Sequence, residues 1–242
     1  MFYETLAVYY DEIFPAEPTK ISFLDKQFKM NGAVRILDSA CGTGTYTLEL
    51  ARLGYETWGI DLEANMVEAA RQKANRQNLN ACFQVSDMRR ADKLGKTFDG
   101  LFCIGNSLAH LLHEKDLAQA LSAMYHALGD GGIAVIQIVN FDRIMALGDT
   151  ELPLIERENL RFIRTYRPRS EHSLIFDSVL EVKTEERVIS RLQNSVKLRP
   201  IRKRDLEKYL LAAGFSEIRT FGNFKEEPYR DDSAATVMVA AK

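Results

Sequence analysis

Three short apolar runs in this sequence lead into an aspartate. They are Val34 to Asp38, Thr57 to Asp61, and Ala81 to Val85 followed by Ser86-Asp87. A fourth run, Phe98 to Ile104, leads to Gly105-Asn106, and a fifth spans Ile133 to Val139. Stretches of helical character alternate with them. Thr45 to Leu53 is stopped by Gly54, Glu63 to Gln77 is rich in Ala, Glu, Arg and Gln, and Lys115 to Leu128 is broken by Gly129-Asp130-Gly131-Gly132. Strands that are apolar on both faces need cover on both faces, the condition of a parallel sheet with helical crossovers. The fixed hand of such crossovers makes the sheet doubly wound. Its ligands sit beyond the carboxyl ends of the strands. Asp38, Asp61, Asp87 and Asn106 all fall at that edge.

The pattern changes near residue 150. From Leu160 to Leu198 the chain is charged and alternating, as in Arg161-Phe162-Ile163-Arg164 and Ile175 to Val182, which reads as an antiparallel meander with one wet face. A helix at Arg204 to Ala213 and strands at Phe215 to Phe221 and Ala235 to Ala241 then rejoin the sheet. The expected fold is α/β: a doubly wound, mostly parallel, seven-stranded, Rossmann-like sheet with an antiparallel β meander lid inserted after the fifth strand. It forms one domain over 1–242, with an N-terminal helical cover (1–30), a cofactor-binding core (31–145), the lid (150–200) and a closing segment (201–242).

Composition narrows the function. Across 242 residues, 32 Lys+Arg face 34 Asp+Glu, a net charge of -2. That balance argues against grip on nucleic acid by phosphate neutralisation. The run Lys197 to Arg204 is basic, but it contains Pro200 and reads as a solvated turn. No apolar run approaches the ~20 residues of a membrane span, so no membrane role is expected. The N-terminus has no basic region before an apolar stretch and does not read as a signal peptide. Three cysteines without C-x-x-C spacing fit a reducing cytoplasm and give no metal site. The expected partner is a small-molecule substrate, and exposed meander edges are compatible with a homodimer.

The chemistry concentrates after the first strand. In Asp38-Ser39-Ala40-Cys41-Gly42-Thr43-Gly44 the glycines allow a sharp turn and close approach to a ligand. The N-terminus of the next helix offers free N–H groups there. A dinucleotide fingerprint needs a third glycine at position 47, where this chain has Thr47. Asp61, 17 residues after Gly44, ends the next strand and can accept both hydroxyls of a ribose. Together these residues point to a nucleoside-type cofactor.

These segments resemble the class I S-adenosylmethionine-dependent methyltransferases. Asp38 to Gly44 is similar to motif I in its D-x-A-C-G-T-G form, and Asp61-Leu62-Glu63-Ala64-Asn65-Met66 to the second motif, with Ala64 where serine is common. Ser86-Asp87-Met88 resembles the stretch whose acid binds the adenine amino group. Phe98-Asp99 with Leu108 is similar to the motif IV region, and Leu128 to Gly132 to the L-x-P-G-G turn, with Asp130 in place of proline. A narrower resemblance, to glycine N-methyltransferase and its bacterial small-molecule relatives, rests on Ile104 to Leu111 and on Val139 to Asp142.

The resemblance implies S-adenosyl-L-methionine as cofactor, S-adenosyl-L-homocysteine as product, and in-line methyl transfer, which needs alignment and exclusion of water more than a metal or strong acid. It implies cofactor binding by Tyr10, Asp38, Ala40, Gly42, Thr43, Gly44, Asp61, Leu62, Met66, Ser86, Asp87, Met88, Ile104, Gly105 and Asn106. It gives Asn140 a substrate and catalytic role, and His110 is the best-placed titratable group for assisting an amine acceptor.

Arg164 shares one face of a strand with Leu160, Phe162 and Tyr166. With Tyr166 it could clamp a substrate carboxylate, or it could pair with Glu151, Glu156 or Glu158 on a solvated face. The acceptor is expected to be a small amine or amino acid nitrogen. The alternatives are an RNA or protein methyltransferase, or O-methylation of a small metabolite. A D/N/S-P-P-Y/F motif after the fourth strand would favour nucleic acid, and Gly105-Asn106-Ser107-Leu108 stands there instead.

Overall fold

The structure is a computed structural model that describes residues 2–184 and 187–242, with side chains from residue 6 onward. Met1, in the expected cover, and Glu185 and Glu186, in the expected meander, lie outside the described residues. The chain begins with helices α1 (Phe2–Ile13) and α2 (Pro18–Met30). It then alternates through β1 (Arg35–Ser39), α3 (Thr45–Arg52), β2 (Glu56–Asp61), α4 (Ala64–Arg76), β3 (Ala81–Val85) and β4 (Phe98–Cys103). Next come α5 (Glu114–Ala127), β5 (Leu128–Val139) and α6 (Phe141–Leu147). The short strands β6 (Thr150–Glu151) and β7 (Ile155–Glu156) precede the long β8 (Leu160–Ser170), β9 (Ser173–Thr184) and β10 (Arg187–Leu198). The chain closes with α7 (Lys203–Ala213), β11 (Ser216–Phe221) and β12 (Ala235–Ala241).

Seven strands form one sheet in the order β11-β12-β5-β4-β1-β2-β3. β12 runs against both β5 and β11, and the remaining pairs are parallel. The order reverses between β1 and β4, and such a switch point opens a crevice at the carboxyl ends of the strands. The strands read as continuous apolar runs because successive side chains serve different cores. Ile36, Phe102, Val135 and Val237 face Phe23, Leu24 and Phe28 of α2 and Leu50 of α3. Their neighbours Leu37, Leu101, Ile136 and Met238 face Leu117, Leu121 and Met124 of α5 and Leu206 and Leu210 of α7. Each such buried side chain contributes about 1.5–3 kcal/mol relative to an exposed one. Among the described residues no helix is long and apolar enough to cross a membrane.

The segment after the fifth strand is a second, antiparallel sheet, ordered β10-β9-β8-β6, with β7 also paired to β8. Its inner face, with Leu160, Phe162, Leu180 and Val182, packs on Leu6 and Ile13 of α1. Two local features differ from expectation. β5 begins at Leu128, not Ile133, because Leu128 pairs with Phe98 before the register shifts across the glycines. α6 was not anticipated; its start is made by Asn140, whose side chain accepts the N–H of Arg143.

Candidate active site

The loop after β1 is built on left-handed backbone at Ala40 (φ 77°), Gly42 (φ 55°) and Gly44 (φ 75°). The N–H groups of Ala40 and Cys41 both donate to the carbonyl of Ile60, at 2.8 and 2.9 Å, fastening the loop to the end of β2. Gly44 has no tolerable substitute: besides its φ, a Cβ would lie 2.7 Å from the ring of Phe83. At Gly42 a Cβ would lie 3.4 Å from the ring of Tyr10, so the tyrosine rests directly on the loop.

Two acids organise the floor. Asp61 Oδ2 accepts the N–H of Gly42 at 2.8 Å, and its Oδ1 accepts that of Glu63 at 3.0 Å. Asp38 is 3% exposed. The hydroxyl of Thr47 donates to its Oδ2 at 2.6 Å. The residue in the place of a third glycine therefore supplies a hydrogen bond to a buried acid. Burial, with a smaller push from Asp61, raises the Asp38 pKa to about 8 against the pull of the Thr47 bond. The carboxyl is mostly protonated at pH 7.

A crevice of about 540 Å³ opens over this loop, within the ordinary size of small-molecule sites. Of the residues expected around a cofactor, Tyr10, Ala40, Gly42, Asp61, Leu62 and Met66 line it. So do Ser86, Asp87, Met88 and Gly105, and so does His110. Asp38, Thr43, Gly44 and Ile104 shape the loop and strand ends behind that lining. The expected list omitted Leu6, Ser107, Arg89, His113 and Asp116, which also line the crevice. For Arg89 the only sequence signal was its place two residues after Asp87; its link to Asp116 of α5 is a tertiary contact.

At the end of β4, Gly105 (φ 87°) and Asn106 (φ 73°) turn the chain. Gln137 holds this turn by accepting the Gly105 N–H at 2.8 Å. Asn106 Oδ1 accepts the N–H of Val139 at 3.2 Å, and its Nδ2 reaches the Tyr166 hydroxyl at 3.5 Å. His110 stands on the crevice wall, where desolvation holds its pKa below the ordinary imidazole value although Asp61 pulls the other way. α1 closes over the same loop. Asp11 Oδ1 accepts the hydroxyls of Thr43 and Thr45 at 2.6 and 2.7 Å, and its Oδ2 pairs with Lys73 of α4 at 2.6 Å.

Asn140 departs from its expected role. Its side chain is 1% exposed. It donates to the carbonyls of Arg230, Asp231 and Ser233 and accepts from Arg143 N–H and the Tyr229 hydroxyl. Its polar atoms are spent on tying the 230–233 turn to α6, which leaves none for a substrate. Arg164 and Tyr166 sit on the inner face of β8 rather than in the crevice lining. Tyr166 packs between Phe141 and Phe176, and burial raises its pKa to about 12. Arg164 lies over the Phe162 ring and donates to the Pro153 carbonyl at 2.7 Å. Its Nε is buried without a partner. Among the described residues no carboxylate pairs with it, whereas Glu156 pairs with Arg161 and Lys183 instead.

Comparison with known proteins bears on this site. A family model described as a methyltransferase domain matches residues 36–132, the stretch from β1 into β5 that forms the crevice. The chain is 27% identical over 223 residues to a glycine/sarcosine N-methyltransferase of Aphanothece halophytica, covering 91% of this chain and 80% of the relative. It is 34% identical over 128 residues to a glycine/sarcosine N-methyltransferase of Parasynechococcus marenigrum (strain WH8102), covering 52% and 45%. In fold it is similar to the crystal structure of an S-adenosylmethionine-dependent methyltransferase from Clostridium acetobutylicum ATCC 824. The TM-score is 0.85 at 20% identity, over 100% of this chain and 99% of that one.

The crevice fits such a cofactor on its own terms: its floor sets the Asp61 carboxylate beside the N–H of Gly42, and Tyr10 rests on the loop above. Residues 36–132 carry a methyltransferase domain; the chain is an S-adenosylmethionine-dependent methyltransferase, and S-adenosylmethionine is its cofactor.

Proposed function

We propose that the enzyme methylates the nitrogen of a small amine that also carries a carboxylate, an amino acid or a close analogue. The observation that carries this reading is Arg164. A partly buried guanidinium with an unpaired Nε and no acidic partner among the described residues is an unsatisfied cation, and a carboxylate is the group its fork geometry matches. It lies between Tyr166, whose hydroxyl meets Asn106 of the β4 turn, and Phe162, which packs on Phe14 beyond α1. The glycine/sarcosine N-methyltransferases among its relatives act on acceptors of this chemistry by name.

The cofactor supplies an electrophilic methyl group on a sulfonium. The protein's part is to bind, align and exclude water. In this reading Asp61 receives the ribose hydroxyls on its remaining lone pairs. Asp38 lies beneath the loop on which the cofactor's ammonium end rests, and Asp87 lies at the adenine end. Tyr10 closes the crevice from above. An amine acceptor must be neutral to react, and in this reading His110, whose pKa desolvation holds below the ordinary imidazole value, takes its proton.

Methyl transfer should be measured to glycine, sarcosine and other amino acids, and to the matching amines without a carboxylate. The Arg164→Gln variant should raise KM for the carboxylate-bearing acceptor by about 10–100-fold, the worth of a charged hydrogen bond, with S-adenosylhomocysteine affinity unchanged. Equal turnover of amines lacking the carboxylate, or an unaltered KM in the variant, refutes the clamp.

A further inference from the structure

At its far end, between β3 and α5, the crevice is walled by three charged side chains that are partners of one another. Arg89 Nε lies 3.1 Å from Oδ1 and 3.0 Å from Oδ2 of Asp87, and its Nη2 donates to Oδ2 at 2.6 Å. Its Nη1 donates to Asp116 Oδ1, in the first turn of α5, at 2.9 Å. Asp87 Oδ1 also accepts the backbone N–H of Arg89 at 2.8 Å. All three residues line the crevice, and the two acids are largely buried, at 19% and 17% side-chain exposure.

A carboxylate two bonds from a strand end can turn about both of its side-chain torsions. A guanidinium fork engaging both oxygens removes that freedom. Arg89 is too near Asp87 in sequence to hold a fixed position alone, and Asp116, from a separate element, holds it. The cluster also has two acids and one base, so the wall carries net negative charge. Such a wall favours a ligand edge that donates N–H and disfavours one that presents a carbonyl oxygen.

We propose that Arg89, held by Asp116, is a positioning residue for the cofactor's purine, fixing the Asp87 carboxylate to accept the exocyclic amino group. The proposal rests on the reading of Asp87 as the acid of the adenine end. Arg89 acts through Asp87 and sets base specificity, an amino over an oxo group at the purine six-position.

The test compares S-adenosylhomocysteine with S-inosylhomocysteine, in which oxygen replaces that amino group, by calorimetric titration. The wild-type chain should prefer the adenine form by about thirtyfold, the cost of one mismatched charged hydrogen bond. Arg89→Gln and Asp116→Asn should each reduce this preference to a few fold, chiefly by weakening the adenine form. Arg89→Lys, which keeps the charge and loses the fork, should not restore it.

Equal weakening of both ligands would mean that Arg89 only supports the fold, and tighter adenine binding in Arg89→Gln would mean that the guanidinium competes for Asp87. Either result overturns the proposal. Asp87→Asn separates the two levels: if it keeps the wild-type preference, the adenine reading itself has failed. Thermal melts verify folding, and Asp116→Asn carries the test if Arg89→Gln does not fold.

Discussion

Asp38 offers the sharpest test of the electrostatics. The carboxyl is buried, and its pKa is raised from 3.8 to about 8. Between those values the folded chain keeps a proton that the unfolded chain has released. Stability of the unliganded protein therefore falls as pH rises through that window and levels off above pH 8. At about 1.36 kcal/mol per pH unit, the cost is about 2 kcal/mol at pH 5 and about 4 kcal/mol at pH 7. Asp38→Asn carries no titrating proton and keeps an oxygen for the Thr47 hydroxyl. Relative to wild type it should gain about 2–3 kcal/mol between pH 5 and pH 7, which at 2–4 °C per kcal/mol is a Tm gap wider by about 5 °C or more.

Scanning calorimetry without ligand measures this gap. A gap that stays constant with pH would mean that the carboxyl is already ionised in the empty crevice, and the argument from burial would fail. The same logic gives a signature on binding. A ligand ammonium near Asp38 restores its charge, so S-adenosylhomocysteine should release about one proton at pH 7. Titration in buffers of different ionisation heat reads that number, and Asp38→Asn should release none.

Two further outcomes follow from contacts in the structure. Asn140→Ala removes the amide donor from three backbone carbonyls and leaves the Tyr229 hydroxyl with Asp142 alone, and should cost ~2–4 kcal/mol in urea unfolding while S-adenosylhomocysteine affinity holds. Unchanged stability with lost turnover would return Asn140 to the chemistry. Asp11→Ala cuts the tie of α1 to Thr43, Thr45 and Lys73. With Asp11 half exposed, the loss is about 1 kcal/mol, and S-adenosylhomocysteine should dissociate about fivefold faster in stopped flow. An unaltered rate would show that α1 does not gate the crevice.

The sheet was legible because its strands are apolar on both faces and end in polar residues, and one sheet edge satisfies both facts. Tyr10, Asp61, Ser86, Asp87 and Met88 meet at the crevice because each follows a strand or covers the loop between strands. Thr47 misfits a dinucleotide fingerprint by spacing alone, and its bond to Asp38 depends on how α3 lies against β1. Asn140 looked like a strand-end ligand. What consumes it is a turn 90 residues and more downstream, invisible to local pattern. The Arg89–Asp116 pair escaped for the same reason, since a bond spanning 27 residues between the short 3-10 helix Met88–Lys93 and α5 leaves no periodic trace.

The apolar side of α1 belongs to the meander, through Leu6 and Ile13 against Leu160, Phe162, Leu180 and Val182. Glu12 adds polar ties, its carbonyl to Arg157 and its carboxylate to Asn159. Its polar side belongs to the core, through Asp11. Lifting α1 off the motif loop therefore means shearing or carrying along the strand that bears Arg164 and Tyr166. If Arg164 holds the acceptor as proposed, the two reactants share one doorway. An opening wide enough to release spent cofactor also slackens the grip on whatever occupies the acceptor side, and turnover should reset both compartments in a single excursion.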